Sequence, residues 1–185
     1  PEPYLEAVKN LLRIAHRFEN LDFIDFGGGY GIPYHKLDDE KDFPMEAFKA
    51  RLEPILDEFV KSYGKAPLFK SEPGRFCVAE GSVILGRVHA TKENSGIQFA
   101  GTDVGMNVLV RPSMYDSHHD IELLRNGNVV PRESDKLIEQ TVTGNICESG
   151  DILAKNRPLP KINEGDLICV LDTGAYGWSM CSTYN

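Results

Sequence analysis

The sequence has 185 residues, of which 41% are hydrophobic and 26% are charged, and its formal net charge at pH 7 is -8. A chain of this length can bury a substantial core and would form one domain or two small ones. The negative charge argues against nucleic acid or an anionic membrane as a partner. No apolar run approaches the roughly 20 residues that span a bilayer, and residues 1–4 do not resemble the start of a signal peptide.

The four cysteines are sparse and show no C-x-x-C spacing, so we expect free thiols in a reducing cytoplasm. Cys77 and Cys169 lie in apolar stretches and are predicted to be buried, whereas Cys147 has polar, acidic and glycine neighbours that are typical of a loop. The sequence opens inside a predicted helix and stops after a glycine-rich segment. We therefore expect it to be a piece of a longer protein.

The first part of the chain alternates helix and strand. Apolar residues at helical spacing predict helices over 3–18 and 45–62, and short apolar runs predict strands over 21–26 and 67–71. Short connections between such elements are typical of a parallel α/β unit.

The pattern then changes near residues 76–85, where we place a domain boundary. Turn residues separate the later elements and no long helix is evident, so a β-rich domain is expected. Its predicted strands are 82–91, 97–103, 107–110, 121–124, 137–144 and 166–172.

Two predicted strands end in segments that suit an anion. Gly27, Gly28 and Gly29 follow the first strand, and Glu72-Pro73-Gly74-Arg75 follows the second. Glycine lets the backbone approach a ligand closely and offers N–H groups to phosphate oxygens. A lone glycine run would be interpreted as a flexible turn, but the two segments together favour a phosphate site. Glu72 could reach the ring of a cofactor or pair with Arg75, whose guanidinium suits phosphate or carboxylate.

The β-rich part carries further candidates. Arg111 and Tyr115 could form a clamp for a carboxylate, or be a surface arginine and a core tyrosine. His118 and His119 are adjacent and would point in different directions from an extended chain, so a metal site is not expected there. Tyr176, between glycines and small residues, could face a ligand or contribute to packing.

Five segments, FGGGYGIPY, EPGR, DVGMN followed by RPSMY, NICESGDILAK and DTGAYGWSM, occur in this order over essentially the whole chain. Together they resemble the diaminopimelate decarboxylase family of fold-type III enzymes, which depend on pyridoxal phosphate. The resemblance implies that residues 1–80 are the C-terminal part of a pyridoxal-phosphate-binding (β/α)8 TIM barrel. Residues 81–185 would be an incomplete C-terminal β domain of the sandwich or barrel type.

The resemblance also assigns the cofactor site. The phosphate cradle would be formed by Gly27, Gly28 and Gly29 with the loop Glu72, Pro73, Gly74 and Arg75. Glu72 matches the partner of the pyridine nitrogen, and Tyr176 matches a tyrosine near the cofactor and the substrate.

Further residues match those that handle the amino-acid substrate. Arg75, Arg111 and Tyr115 match substrate-binding positions, with the arginines suited to a distal carboxylate. Cys147 matches the catalytic residue that returns a proton to the substrate carbon after CO2 leaves, and Glu148 matches the contact to the distal amino group. Tyr176 matches a substrate neighbour as well.

The activity implied is conversion of meso-diaminopimelate to L-lysine and CO2 by a cytoplasmic homodimer with a shared active site. The sequence lacks the family's Schiff-base lysine; Lys70 and Lys155, for example, do not occupy the matching position, so the chain alone is expected to be inactive. Two alternatives remain: a related decarboxylase acting on ornithine, arginine or carboxynorspermidine, and a non-catalytic relative that regulates a true decarboxylase.

Overall fold

The computed structural model describes residues 2–185, and they form two compact units. The first consists of the residues up to Pro33 together with Lys41–Phe76. The second consists of Tyr34–Glu40 and Cys77–Asn185. Nothing in the local sequence marks the short segment Tyr34–Glu40 as part of the second unit.

The first unit contains the predicted alternation of helix and strand. Its elements in chain order are α1 (Glu2–Ala15), β1 (Phe23–Asp25), α2 (Met45–Tyr63), β2 (Leu68–Lys70) and the beginning of α3 (Gly74–Val78). The strands pair in parallel, with Ile24 opposite Phe69. The apolar stripe of α1 is buried, because its spacing places one face of the helix on the core. The predicted elements are confirmed, although α1 ends three residues before the expected Phe18, which is exposed.

The second unit is dominated by strands. They are β3 (Ile84–Asn94), β4 (Ile97–Thr102), β5 (Ile121–Arg125), β6 (Asn128–Val129), β7 (Leu137–Thr143), β8 (Ile152–Pro160) and β9 (Leu167–Val170), with the short helix α4 (Arg111–Tyr115) between β4 and β5.

The seven strands form one connected sheet in the order β6-β5-β9-β3-β4-β7-β8. The long strand β3 belongs to two halves of it: its first residues pair with β9, and its later residues pair with β4 beyond an irregularity between Val88 and Ala90. All pairings are antiparallel except that of β4 with β7. Buried side chains from both halves, such as Val88, Val142, Leu159 and Ile168, share one core. The predicted β-rich class is therefore confirmed.

Two local predictions for this unit are wrong, and two strands, β6 and β8, were not predicted. Residues 107–110 form a turn instead of a strand, because the N–H groups of Val108 and Leu109 both donate to the Gly105 carbonyl. Strand β8 was missed, since Pro158 and Pro160 argue against a strand; β8 lies at the end of the sheet order, where proline is tolerated. Cys77, expected in the interior, is exposed.

Other sequence-level expectations concern cysteines, membranes and metals. Cys169 is buried and Cys147 is exposed, as predicted, and all four cysteines are free. None of the helices formed by residues 2–185 is long and apolar enough to cross a membrane. Within the same residues there is no cluster of three or more His, Cys, Asp or Glu that could hold a metal ion.

Candidate functional site

The first group of candidate residues lies at the carboxyl edge of the parallel pair β1 and β2. Because the strands are parallel and adjacent, the loops that follow them emerge side by side. The Glu72 N–H donates to the Gly27 carbonyl at 2.8 Å, so the two loops are joined directly. The structure thus brings together the two segments that the sequence singled out for an anion.

The glycines of this group are required by the backbone. A Cβ at Gly28 would lie 2.4 Å from the Glu72 carbonyl oxygen, a distance that no side chain allows. Gly27 and Gly29 have φ values of +69° and +101°, which L-residues rarely adopt. Neither the Gly28 N–H nor the Gly29 N–H donates to any residue in 2–185. These open N–H groups fit the phosphate of pyridoxal phosphate, since such backbone arrangements bind anions.

Glu72 and Arg75 complete this edge. Glu72 is exposed and Arg75 is partly buried at the start of α3, one residue after Gly74. Pro73 is the central residue of a tight turn in which the Gly74 N–H donates to the Glu72 carbonyl at 2.8 Å. This turn leads the chain from β2 into α3.

In the second unit, Arg111 is buried at the start of α4 and only 8% exposed. Its Nη1 lies 3.1 Å from the Tyr34 hydroxyl and 3.2 Å from Nε2 of His119. Its Cζ lies 5.2 Å from the ring centroid of Tyr34 and 5.3 Å from that of Tyr176. The two hydrogens of Nη1 are used by these partners, whereas Nε and Nη2 donate to no residue that the structure describes. An edge of the guanidinium that suits a carboxylate therefore remains available.

Tyr115 lies one helical turn after Arg111 and is 60% exposed. The alternative of a surface arginine and a core tyrosine is therefore wrong, because Arg111 is buried and Tyr115 is exposed. Tyr176 is 38% exposed and has a φ of +65°, which is rare for a tyrosine. Its ring nevertheless lies against Arg111, so the structure brings these two predicted residues together.

The adjacent histidines have separate partners. His119 is fully buried, with Nδ1 2.9 Å from the Leu171 carbonyl oxygen. Nε2 of His118 lies 2.8 Å from Oδ1 of Asp120. Burial lowers the pKa of His119, and the nearby charge of Arg111 lowers it further, while the Leu171 carbonyl opposes both effects. The two rings thus face different neighbours, as expected from sequence.

Cys147 and Glu148 lie in the segment 144–151, which we call the cysteine loop. Glu148 accepts hydrogen bonds from the Gly150 N–H at 3.1 Å and the Tyr184 hydroxyl at 3.1 Å. Together with the Ser149 hydroxyl, they lower the pKa of Glu148, so this carboxylate is charged at neutral pH.

Two residues that hold this loop were not identified from sequence. Asp151 is buried, and its carboxylate accepts the N–H groups of Met106 at 2.6 Å and Ile146 at 2.9 Å. Ser113, inside the RPSMY segment, donates its hydroxyl hydrogen to the Gly150 carbonyl at 2.6 Å and so joins α4 to the loop. Both residues lie in motifs that were recognised, but nothing in the sequence pairs them with distant backbone groups.

Two known family models match this chain over residues 1–174, and relatives and solved structures match it over its whole length. Residues 1–79 match the family model described as the pyridoxal binding domain of pyridoxal-dependent decarboxylases, and residues 46–174 match the C-terminal sheet domain of the same enzymes. The chain therefore belongs to the pyridoxal-dependent decarboxylases.

Among its relatives are diaminopimelate decarboxylases. The chain is 41% identical to that of Methanothermobacter thermautotrophicus, covering 100% of this chain and 43% of the relative. It is 40% identical to that of Archaeoglobus fulgidus, covering 99% and 42%. The crystal structure of the Helicobacter pylori enzyme complexed with L-lysine superposes with a TM-score of 0.81 at 31% identity, covering 100% and 43%. The chain thus spans less than half the length of these relatives.

Proposed function

We propose that the full-length protein containing this chain decarboxylates meso-2,6-diaminopimelate to L-lysine and CO2 with pyridoxal phosphate as its cofactor. The observation that carries the proposal is the buried Arg111 with an available guanidinium edge, because a substrate with a second carboxylate needs such a partner. The similarity of the whole chain to diaminopimelate decarboxylases supports the same substrate.

For the cofactor, the proposal assigns Gly27, Gly28 and Gly29 with the loop from Glu72 to Arg75 to the phosphate. The open N–H groups and the joined loops at the edge of β1 and β2 support this. Glu72 would hold the proton on the pyridine nitrogen, and Tyr176 would lie beside the ring. The chemistry that pyridoxal phosphate supplies when bound is an electron sink for the electron pair that stays on the substrate carbon when CO2 leaves.

For the substrate, the proposal assigns the distal carboxylate to Arg111 and Arg75, with Tyr115 and Tyr176 beside it. Glu148, charged at neutral pH, would bind the distal ammonium group. Cys147 would donate its thiol proton to the substrate carbon after CO2 leaves, and its exposure in the cysteine loop makes the sulfur accessible.

The proposal also covers the architecture of the whole protein. Residues 1–80 would close a TIM barrel, and 81–185 would belong to the C-terminal β domain. The parallel β1–β2 pair, with a helix before each strand, supports the barrel. The protein would be a cytoplasmic homodimer in which Cys147 and Glu148 serve the partner's cofactor. Mixing two inactive full-length variants, Cys147→Ala and one lacking the Schiff-base lysine, would test this, because a shared site regains activity in mixed dimers and a site within one subunit does not.

The deciding experiment offers meso-diaminopimelate and ornithine separately to the full-length protein with pyridoxal phosphate. We expect lysine from diaminopimelate and no putrescine from ornithine. If only putrescine forms, the protein is a decarboxylase that acts on ornithine. Cofactor binding without turnover of either substrate would favour the regulatory relative.

Replacing Arg111 with alanine tests the substrate assignment. Loss of a buried partner for a charged group costs about 2–5 kcal/mol, so kcat/KM for diaminopimelate should fall roughly 30-fold to several thousand-fold. The affinity for pyridoxal phosphate, followed by its absorbance, should hardly change. Arg87→Ala, at an exposed arginine of β3, is the control. Equal losses of substrate use and cofactor affinity in Arg111→Ala would contradict the assignment.

A further inference from the structure

His119 has a hydrogen-bonding pattern that allows one protonation state. Arginine N–H groups can only donate hydrogen bonds and carbonyl oxygens can only accept them. Nε2 faces Nη1 of Arg111 at 3.2 Å, and Nδ1 faces the Leu171 carbonyl oxygen at 2.9 Å. The ring must therefore be neutral, with its proton on Nδ1 and its lone pair on Nε2 directed at Arg111.

The same contacts determine how the Arg111 guanidinium is oriented. His119 and the Tyr34 hydroxyl take the two hydrogens of Nη1, which fixes one corner of the planar group. Ring faces of Tyr34 and Tyr176 lie about equally far from its Cζ, at 5.2 and 5.3 Å. Because a guanidinium is rigid, fixing Nη1 also fixes the direction of the edge formed by Nε and Nη2.

We infer that His119 is a positioning residue, which holds Arg111 so that its Nε–Nη2 edge presents two parallel N–H groups to the distal carboxylate of the substrate. The inference deepens the proposed function and rests on it for the identity of the carboxylate. The hydrogen bond between His119 and Arg111, by contrast, exists whatever the substrate is.

Protonation of His119 would remove this support. A proton on Nε2 would face the N–H of Arg111, and the guanidinium would have to turn away. The titratable and charged groups around the ring come from five parts of the second unit. They are Tyr34 and Lys36 in the segment 34–40, Arg111 on α4, His118 and Asp120 on either side of His119 in sequence, Arg157 on β8, and Asp172 and Tyr176 after β9.

Burial has the largest effect on the pKa of His119 and lowers it, and the charges of Arg111 and His118 lower it further, while the Leu171 carbonyl and the charge of Asp172 raise it. The pKa of His119 is lowered overall, so the ring protonates only below about 6.5, the ordinary value for histidine. His119 therefore holds Arg111 in position at neutral pH and loses this hydrogen bond in acid.

Two substitutions in the full-length holoenzyme separate the functions of the ring. His119→Asn keeps an amide donor for the Leu171 carbonyl but has no group at the position of Nε2. His119→Gln can place an amide oxygen there and cannot titrate. Loss of one hydrogen bond to a charged group should raise the KM of His119→Asn for diaminopimelate about 10- to 100-fold, with a much smaller change in kcat. His119→Gln should recover most of this loss, and the rise of KM in acid should disappear.

The control is His89→Asn on β3, where an exposed histidine makes a similar contact, with Nδ1 3.0 Å from the Gly101 carbonyl oxygen. Its KM should match that of the unchanged enzyme. If His119→Asn and His119→Gln lose kcat and cofactor affinity to the same extent, with KM unchanged, the ring has only a structural role and the inference is overturned.

A measurement without turnover separates this inference from the proposed function. In the full-length protein labelled with ¹⁵N-histidine, the His119 signals should show a proton on Nδ1 at pH 7, and Arg111→Met should shift the Nε2 resonance. A charged ring or a proton on Nε2 would refute the inference even in an active enzyme. The expected spectrum in a protein that does not decarboxylate diaminopimelate would instead refute the proposed function and leave the Arg111 support intact.

Discussion

Replacing Asp151 with asparagine should loosen the cysteine loop. The buried carboxylate accepts the Met106 N–H on Oδ1 and the Ile146 N–H on Oδ2, which ties a residue of the loop and a residue of the distant segment after β4 to one group. Asparagine has nearly the same shape, but one of its two polar atoms is an N–H donor. One of the two backbone N–H groups would therefore lose its acceptor and face another donor.

The size of the effect follows from these two contacts. A hydrogen bond to a charged group contributes about 1.5–3 kcal/mol, and a buried donor left without an acceptor costs about 1–3 kcal/mol. Since the two figures overlap in what they count, we expect a loss of about 2–4 kcal/mol. A loss of 1 kcal/mol lowers the melting temperature of a domain of about 150–250 residues by about 2–4 °C, and on this scale the melting temperature should fall by roughly 5–15 °C.

The assay is thermal unfolding of the full-length protein, with amide hydrogen exchange of Met106 and Ile146 as the local measurement. Asp116→Asn is a matched control, because Asp116 is exposed and its φ of +52° is well tolerated by asparagine. Equal melting temperatures of the two variants, with no faster exchange of the Met106 and Ile146 amides in Asp151→Asn than in the unchanged protein, would refute this account of Asp151.

Two further changes probe other contacts of the second unit. Gly144→Ala would place a Cβ 2.3 Å from the Asp151 carboxylate, so a destabilisation of about 1–3 kcal/mol is expected in urea unfolding, with Gly81→Ala, where a Cβ meets nothing within 4 Å, as the neutral control. Asp166 is paired with Arg125 at 2.8 Å; burial alone would raise its pKa, but hydrogen bonds from Arg125 and the Asn163 N–H lower it overall. Since the folded-state pKa lies below the unfolded value, the pair stabilises the fold above about pH 4 and loses this effect as the pH falls further. Unfolding followed between pH 7 and pH 3 should thus show a weaker acid dependence for Asp166→Asn; an unchanged dependence would exclude this carboxylate as a cause.

Much of the first unit could be predicted because its signals are local. The apolar stripe of α1 and the short strands before Gly27 and Glu72 identify the elements from residues close in sequence. The rule that neighbouring parallel strands end at the same edge then brings the two loops together without further information. The two loops do lie together, joined by the hydrogen bond from the Glu72 N–H to the Gly27 carbonyl.

The second unit was harder because local patterns there are ambiguous. The apolar run 107–110 has the composition of a strand, yet Gly105 accepts two hydrogen bonds from it and turns the chain. Strand β8 contains two prolines that argue against a strand, and its position at the end of the sheet order, where no further partner is needed, explains why it forms.

The sequence by itself determined the order of elements in the first unit, the β-rich class of the second and the family, because each depends on short-range patterns and on motifs that stand in one order. Only the tertiary structure decided which groups face each other. The His119 ring meets the Leu171 carbonyl 52 residues away, and the Asp151 carboxylate meets the Met106 N–H 45 residues away. Such contacts are selected by packing of the whole core, which no local pattern encodes. They set the tautomer of His119, the direction of Arg111 and the shape of the cysteine loop.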